Sequence, residues 1–194
     1  MPTTITRDDI LPMDVYAAER IERRRAITAK KKNRRVHIGP DATFYFENYD
    51  TMFHQIHEML FIEKGGDEQI EDELTAYNPL IPNGSELVAT LMFEIDDPTR
   101  RARLLGSLGG VEETVTLSFA DFVVTAEAEE DVDRTSADGK ASSVQFLHFP
   151  FTAEQAAAFK KPGTKAILGI GHDGYGHMAQ LSEDVRTELA ADLG

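Results

Sequence analysis

The sequence predicts an α+β fold, with a mostly antiparallel sheet, helices packed on one face of that sheet, and a long N-terminal helix. Helix-like and strand-like segments are mixed along the 194 residues without a repeating strand–helix–strand order. Several strand-like segments follow one another directly, which favours antiparallel pairing. Leu, Ile, Val and Phe make up about a quarter of the chain, more than disordered proteins contain. An open barrel is a second arrangement of the sheet that this order of elements allows.

The predicted helices depend on helix-forming residues and on apolar residues at helical spacing. The first runs from Pro12 to about Lys31, and the second runs from Asn48 to Glu63 and ends before two consecutive glycines. Shorter helices are predicted over 67–77, 98–108, 152–160 and 182–193.

Aromatic and β-branched residues predict the strands. These are 35–38, 43–47, 86–95, 114–119, 122–126, 144–151 and 165–170. Within 86–95 alternate side chains face opposite sides of the sheet. One side carries Leu87, Ala89, Leu91 and Phe93, and the other carries Val88, Thr90, Met92 and Glu94. The polar, acidic stretch 127–139 predicts a loop.

A glycine-rich segment at 169–174 (GIGHDG) matches the dinucleotide-binding pattern G-x-G-x-x-G. That mode of binding needs a further strand ending in an acidic residue about 20 positions onward. Only 20 residues follow the segment, and they end in a predicted helix. We therefore interpret the segment as a glycine-rich turn between two antiparallel strands.

Chain length and composition set the organisation of the molecule. We expect residues 1–33 to form an N-terminal helical arm and residues 34–194 a single α+β domain, because a chain of this length fits one domain. Cysteine is absent, which excludes disulfides, thiolate metal sites and cysteine nucleophiles. No apolar run approaches the length of a membrane span, and the N-terminal residues are too polar for a signal peptide. We expect a cytoplasmic protein without a membrane segment.

Positive charge is concentrated in residues 20–35. This segment carries +8 although the whole chain carries −14, so the remaining residues carry −22. A solvated arm neutralised by the acidic body or by a second subunit explains the pattern, and so does a pocket for a small anion. Nucleic-acid binding is the least favoured explanation, because no aromatic residue lies among the basic ones.

The end of the basic segment supplies candidate anion-binding residues. If the strand begins before Arg34, alternation places this guanidinium on the same face as Val36 and Ile38. A buried guanidinium needs a carboxylate or a ligand anion, and Glu47 on the neighbouring strand is the expected structural partner. A structural ion pair and an anion site both remain open. The candidate residues for anion or ligand binding are Lys32, Arg34, Arg35, Glu47 and Asn78.

Two histidines and a glutamate lie close together on the second predicted helix. His54, His57 and Glu58 are spaced so that they can face one metal ion, and a divalent metal is the one cofactor for which we find candidate ligands. The alternative is a pair of histidines beside the apolar face of the helix.

Several segments resemble the bacterial family called domain of unknown function 3501. The resemblance lies in Lys32–Arg35, Phe44–Asn48, Gln55–Met59, Tyr77–Gly84 and Lys140–Leu147. It spans nearly the whole chain, and Tyr-Asn-Pro-Leu-Ile-Pro is its most specific run. The family has no established activity. Its members are often encoded beside rubrerythrin-like di-iron proteins and iron–sulfur proteins, so the resemblance implies a role in peroxide or redox metabolism.

The combined expectation is a non-enzymatic or accessory cytoplasmic protein of a redox or oxidative-stress system. It would bind a partner protein, such as a rubrerythrin-like or iron–sulfur protein, or a small anionic ligand, and it would self-associate as a homo-oligomer. The alternative is a metal-dependent enzyme that uses the His/Glu site.

Overall fold

The computed structural model describes residues 2–129 and 139–194. The longer helices are α1 (Met13–Lys31), α2 (Tyr49–Glu63), α3 (Asp67–Tyr77), α4 (Pro98–Leu105), α5 (Ala153–Lys160) and α6 (Glu183–Ala190). The strands are β1 (Arg35–Ile38), β2 (Ala42–Glu47), β3 (Glu86–Phe93), β4 (Val115–Phe119), β5 (Phe122–Thr125), β6 (Glu127–Ala128), β7 (Val144–Pro150), β8 (Ala166–His172) and β9 (Tyr175–Gln180). The loop predicted over 127–139 is wrong at Glu127–Ala128, which form β6, and its residues 130–138 lie outside the described part of the chain.

The strands form two antiparallel sheets, which confirms the α+β prediction. One sheet has the order β1-β2-β3-β7-β6 and the other has the order β5-β4-β8-β9. Within the described ranges these strands close no barrel. The glycine-rich segment lies on β8 and its turn into β9, so the interpretation of a turn between antiparallel strands is confirmed.

The inner core lies between the two sheets. It contains Phe44 and Phe46 of β2, Leu117 of β4 and Leu168 of β8, and α5 adds Phe159, each at most 1% exposed. Residues of α4 and α6 also belong to it. Burying each of these side chains is expected to contribute about 1.5–3 kcal/mol to stability.

A second apolar cluster lies on the opposite face of the five-stranded sheet, which we call the outer face. Here Met52 and Ile56 of α2 and Leu74 of α3 pack with Val88 of β3. Helix α1 lies against α2 and buries Tyr16 completely. The division of the chain into an arm and a domain stays a prediction.

Strand β3 separates the two clusters. Leu87, Ala89 and Leu91 belong to the inner core and are fully buried, whereas Val88 belongs to the outer cluster. This confirms the predicted alternation, because side chains two residues apart share a face of a strand.

Helix α2 begins at a well-formed cap. The side chain of Asn48 accepts a hydrogen bond from the amide of Thr51, and the Thr51 hydroxyl accepts one from the amide of Asn48. This reciprocal pair satisfies two amides that a helix start leaves unpaired. No helix in the described part of the chain combines the length and apolar character of a membrane span.

Candidate ligand-binding site

Arg34 lies in a 3-10 turn immediately before β1, and the strand begins at Arg35, as the predicted bounds 35–38 have it. The residue is 2% exposed, and its guanidinium donates to the carbonyl oxygens of Phe46 and Glu47, each at 3.0 Å. Its ion-pair partners are Asp192 and Glu188, not the side chain of Glu47. These internal acceptors favour the structural ion pair, the first of the two alternatives for Arg34, and anion binding at Arg34 stays a prediction.

Arg35 and Lys32 are both exposed, in contrast to Arg34. The guanidinium carbon of Arg35 lies 4.8 Å from the ring centre of Tyr45, a cation–π contact. Together with Thr28 and Lys31 they line a surface hollow of about 300 Å³, which we call the basic hollow. The structure therefore brings together two of the predicted anion-binding residues.

Asn78 fastens the N-terminal segment to the turn after α3. Its side-chain oxygen accepts from the amide of Ile5 at 2.8 Å, and its side-chain nitrogen donates to the Ile5 carbonyl at 2.9 Å. Both ends of the amide are thus bonded within the chain.

His57 is fully buried and both of its ring nitrogens have partners. Nε2 accepts from the amide of Leu11 at 3.0 Å, so Nδ1 carries the proton and donates to the carbonyl of Phe53 at 2.6 Å. Burial lowers the pKa of His57, which keeps the ring neutral.

Glu58 is held by α1. Its carboxylate accepts two hydrogen bonds of 2.8 Å from Arg20 and one of 2.7 Å from the Tyr16 hydroxyl. The bonds from Arg20, more than that from Tyr16, lower the pKa of Glu58 to about 2. His54 lies 3.4 Å from the same hydroxyl. The described residues contain no group of three or more His, Asp or Glu that could hold a metal ion. The metal site at His54, His57 and Glu58 stays a prediction. All three side chains already have partners within the chain.

A cavity of about 490 Å³ lies between the outer face of the five-stranded sheet and the helices. We call it the sheet–helix cavity. The sheet contributes Tyr45, Glu47, Thr90, Met92, Glu94 and Phe146, and the helical side contributes Lys31, Met52, Gln55, Tyr77 and Leu80.

Strand register explains why the floor of this cavity is polar and aromatic. Tyr45 of β2 pairs with Thr90 of β3, which pairs with Phe146 of β7. Residues paired across strands lie side by side on one face, so these three side chains form one row. Glu47 lies two residues beyond Tyr45 on the same face of β2.

Glu47 is a buried carboxylate on the wall of this cavity. It is 7% exposed and accepts a 2.9 Å hydrogen bond from the Thr90 hydroxyl. Within 2–129 and 139–194, no Lys, Arg or His forms an ion pair with it. Burying a carboxylate without a cation is costly, and Glu47 lies on the wall of a ligand-sized cavity, so we take it as a sign of a ligand.

The cavity holds a second carboxylate and a second polar pair. Glu94 accepts from Thr43 at 2.6 Å and from Tyr45 at 2.7 Å, and these bonds lower its pKa. Gln55 donates to the hydroxyl of Tyr77 at 3.4 Å. Two carboxylates therefore face this cavity, against the single ammonium of Lys31.

A larger cleft of about 730 Å³ opens between the N-terminal segment and helices α2 and α3. Its walls are mainly apolar, and the charged residues on it (Arg7, Asp14, Lys64 and Asp67) are all exposed. Exposed charges are already solvated and do not demand a ligand, so we take the sheet–helix cavity as the candidate site.

The candidate site was only partly predictable. Glu47 is a predicted site residue and lies in the sheet–helix cavity, whereas the residues predicted for the site do not include Thr90, Gln55 or Tyr77. Two signals point to them. The alternation in β3 places Thr90 opposite the inner core, and three family-like segments, 44–48, 55–59 and 77–84, each contribute to the cavity.

The fold and cavity define an α+β protein with a ligand-sized, acidic and aromatic site beside one sheet. The chain belongs to the family described as "Protein of unknown function (DUF3501)", whose model matches residues 4–193. It is similar to a chain from Burkholderia pseudomallei K96243, whose crystal structure is described as that of a novel protein of unknown function. The two are 40% identical, the match covers 98% of this chain and 100% of that one, and the TM-score is 0.91. A comparison with curated proteins found no match.

Proposed function

We propose that this protein binds a small organic amine in the sheet–helix cavity, with the ammonium group of the amine against Glu47. The observation that carries the proposal is that Glu47, 7% exposed on the wall of this cavity, forms no ion pair within the described residues, not even with Lys31, which lines the same cavity. An ammonium group neutralises a buried carboxylate and donates hydrogen bonds to it. The Thr90 hydroxyl already occupies one oxygen, Oε1, and so fixes how the carboxylate is presented.

The aromatic walls favour the same ligand chemistry. Tyr45, Tyr77 and Phe146 line the cavity, and the faces of aromatic rings attract organic cations. Met52 and Met92 add flexible apolar surface that can adapt to the body of the ligand. A cavity of about 490 Å³ is within the range of small-molecule sites.

Benzylamine tests the proposal because it combines an ammonium group with an aromatic ring. We expect isothermal titration calorimetry to show saturable binding at a single site. Glu47→Gln should weaken binding by about tenfold or more, since a charged hydrogen bond becomes a neutral one. Glu68→Gln removes an exposed carboxylate of α3 outside the cavity and should bind as the parent protein does.

A second variant tests the proposal independently if the Glu47→Gln protein does not fold. Thr90→Val removes the hydroxyl that holds Glu47 and keeps a similar shape, so it should weaken benzylamine binding by a smaller factor. Absence of benzylamine binding to the parent protein, or equal binding by parent and a folded Glu47→Gln variant, would overturn the proposal.

The accessory role in redox or oxidative-stress metabolism stays a prediction from the family resemblance. The rubrerythrin-like or iron–sulfur partner comes from the same resemblance. The cytoplasmic location and the homo-oligomer also stay predictions. A protein that binds an amine without changing it is compatible with an accessory role in such a system.

A further inference from the structure

The basic hollow adjoins the sheet–helix cavity at Lys31, which lines both. The hollow is otherwise formed by Thr28, Lys32 and Arg35. Acidic groups line the cavity and basic groups line the hollow, so the joined surface changes sign along its length. A ligand that lies across Lys31 meets a carboxylate at one end and cations at the other.

The ring of Tyr45 connects the two regions. It lines the sheet–helix cavity, and the guanidinium of Arg35 lies over it at 4.8 Å. Arg35 pairs with Tyr45 across β1 and β2, which fixes the guanidinium at the edge of the cavity. Stacking on an aromatic ring leaves the edge N–H groups of a guanidinium available for an anion.

The cations of the basic hollow can still bind an anion. Within the two described ranges, neither Lys32 nor Arg35 forms an ion pair, whereas Arg20, Arg23 and Lys30 of the same basic segment do. Glu94 lies near Arg35, but its two oxygens already accept hydrogen bonds from Thr43 and Tyr45. An anionic group on a ligand would therefore meet donors that the protein does not use internally.

From this arrangement we infer that the ligand is a zwitterion with its charges at opposite ends, the cation against Glu47 and a carboxylate or similar anion against Lys31, Lys32 and Arg35. This inference rests on the proposed function and names its ligand class. Residues two apart on a strand are separated by roughly 7 Å, and Arg35 pairs with the residue two before Glu47. That separation favours an extended ligand over one that carries both charges on a single carbon.

Two related probes separate this inference from the proposed function. Benzylamine carries only the cation, and 4-(aminomethyl)benzoate adds a carboxylate at the opposite end of the same ring. Calorimetry on the full chain should show that 4-(aminomethyl)benzoate binds about tenfold more tightly than benzylamine, the gain expected for one charge-assisted contact.

Arg35→Gln and Lys32→Gln should remove this gain, measured as the ratio of the two affinities in the same variant, because both residues line the basic hollow. Arg25→Gln alters an exposed cation of α1 outside the hollow and should keep the full gain. Equal affinity of the parent protein for the two probes would overturn the zwitterion alone. So would a gain that persists in the Arg35→Gln, Lys32→Gln double variant. Failure of the parent protein to bind benzylamine would overturn the proposed function and this inference together.

Discussion

Arg34 and Asp192 form a buried ion pair that ties the turn before β1 to the residues after α6. The two side chains are 1% and 2% exposed. Glu188 of α6 adds a second, partly exposed carboxylate 3.2 Å from the same guanidinium. Because the guanidinium also binds two carbonyls at the end of β2, one side chain joins three parts of the chain.

The first prediction concerns the loss of this ion pair. Arg34→Met should lower the free energy of unfolding by about 3–5 kcal/mol, because it leaves Asp192 buried without its cation. Urea denaturation at pH 7 measures the change. Arg25→Met, at an exposed position of α1, should change stability by less than about 0.5 kcal/mol. A loss below about 1 kcal/mol in Arg34→Met would show that the pair does not hold the C-terminal residues in place.

The second prediction follows from the neutral state of His57. Burial lowers its pKa from 6.5, so below pH 6.5 the unfolded chain binds a proton that the folded chain excludes. The contribution of His57 to stability is therefore present above pH 6.5 and is lost as the pH falls toward the folded pKa. The unfolding free energy of the parent protein should fall between pH 7 and pH 5, and that of His57→Gln should fall less.

A second, partly buried histidine limits the size of this effect. His54 is also part-buried with a lowered pKa, so His57→Gln is expected to reduce the slope without abolishing it. Identical slopes in the parent and His57→Gln would contradict the assignment of a buried neutral ring.

Patterns over short stretches of sequence predict most of the helices and strands, whereas the composition of the candidate site depends on packing between distant parts of the chain. The two faces of β3 follow from a period of two residues, and the end of α2 follows from the two glycines after it. Such patterns do not identify the partner of Arg34. Asp192 lies 158 positions away along the chain, and no spacing of residues links the two positions. Glu47 was a candidate from the sequence, but its lack of a cation depends on how α2 and the turn after α3 cover the sheet.

The third prediction concerns His148, which should respond to pH in the opposite direction to His57. Its Nδ1 lies 3.0 Å from Glu86 and its Nε2 lies 3.4 Å from Glu129. The hydrogen bond with Glu86, outweighing burial, raises its pKa. The protonated ring therefore stabilises the fold fully below pH 6.5, and this contribution is lost as the pH rises through the folded pKa. The stability difference between the parent protein and His148→Gln should shrink from pH 6 to pH 9, and a difference that grows would contradict the ion pair.

The fourth prediction concerns Tyr175, which joins the two sheets through one hydroxyl. The hydroxyl accepts from the amides of Asp41 at 2.8 Å and Ala42 at 3.0 Å, and it donates to the carbonyl of Ile38 at 2.8 Å. Tyr175→Phe keeps the buried ring but leaves these groups of the β1–β2 turn without their partner. Each unsatisfied buried polar group costs about 1–3 kcal/mol, so we expect urea denaturation to show a loss of at least about 2 kcal/mol. Tyr49→Phe, at a partly exposed ring, should cost less than about 0.5 kcal/mol. Equal stability of the two variants would mean that water replaces the Tyr175 hydroxyl, and that the two sheets are held together by apolar packing alone.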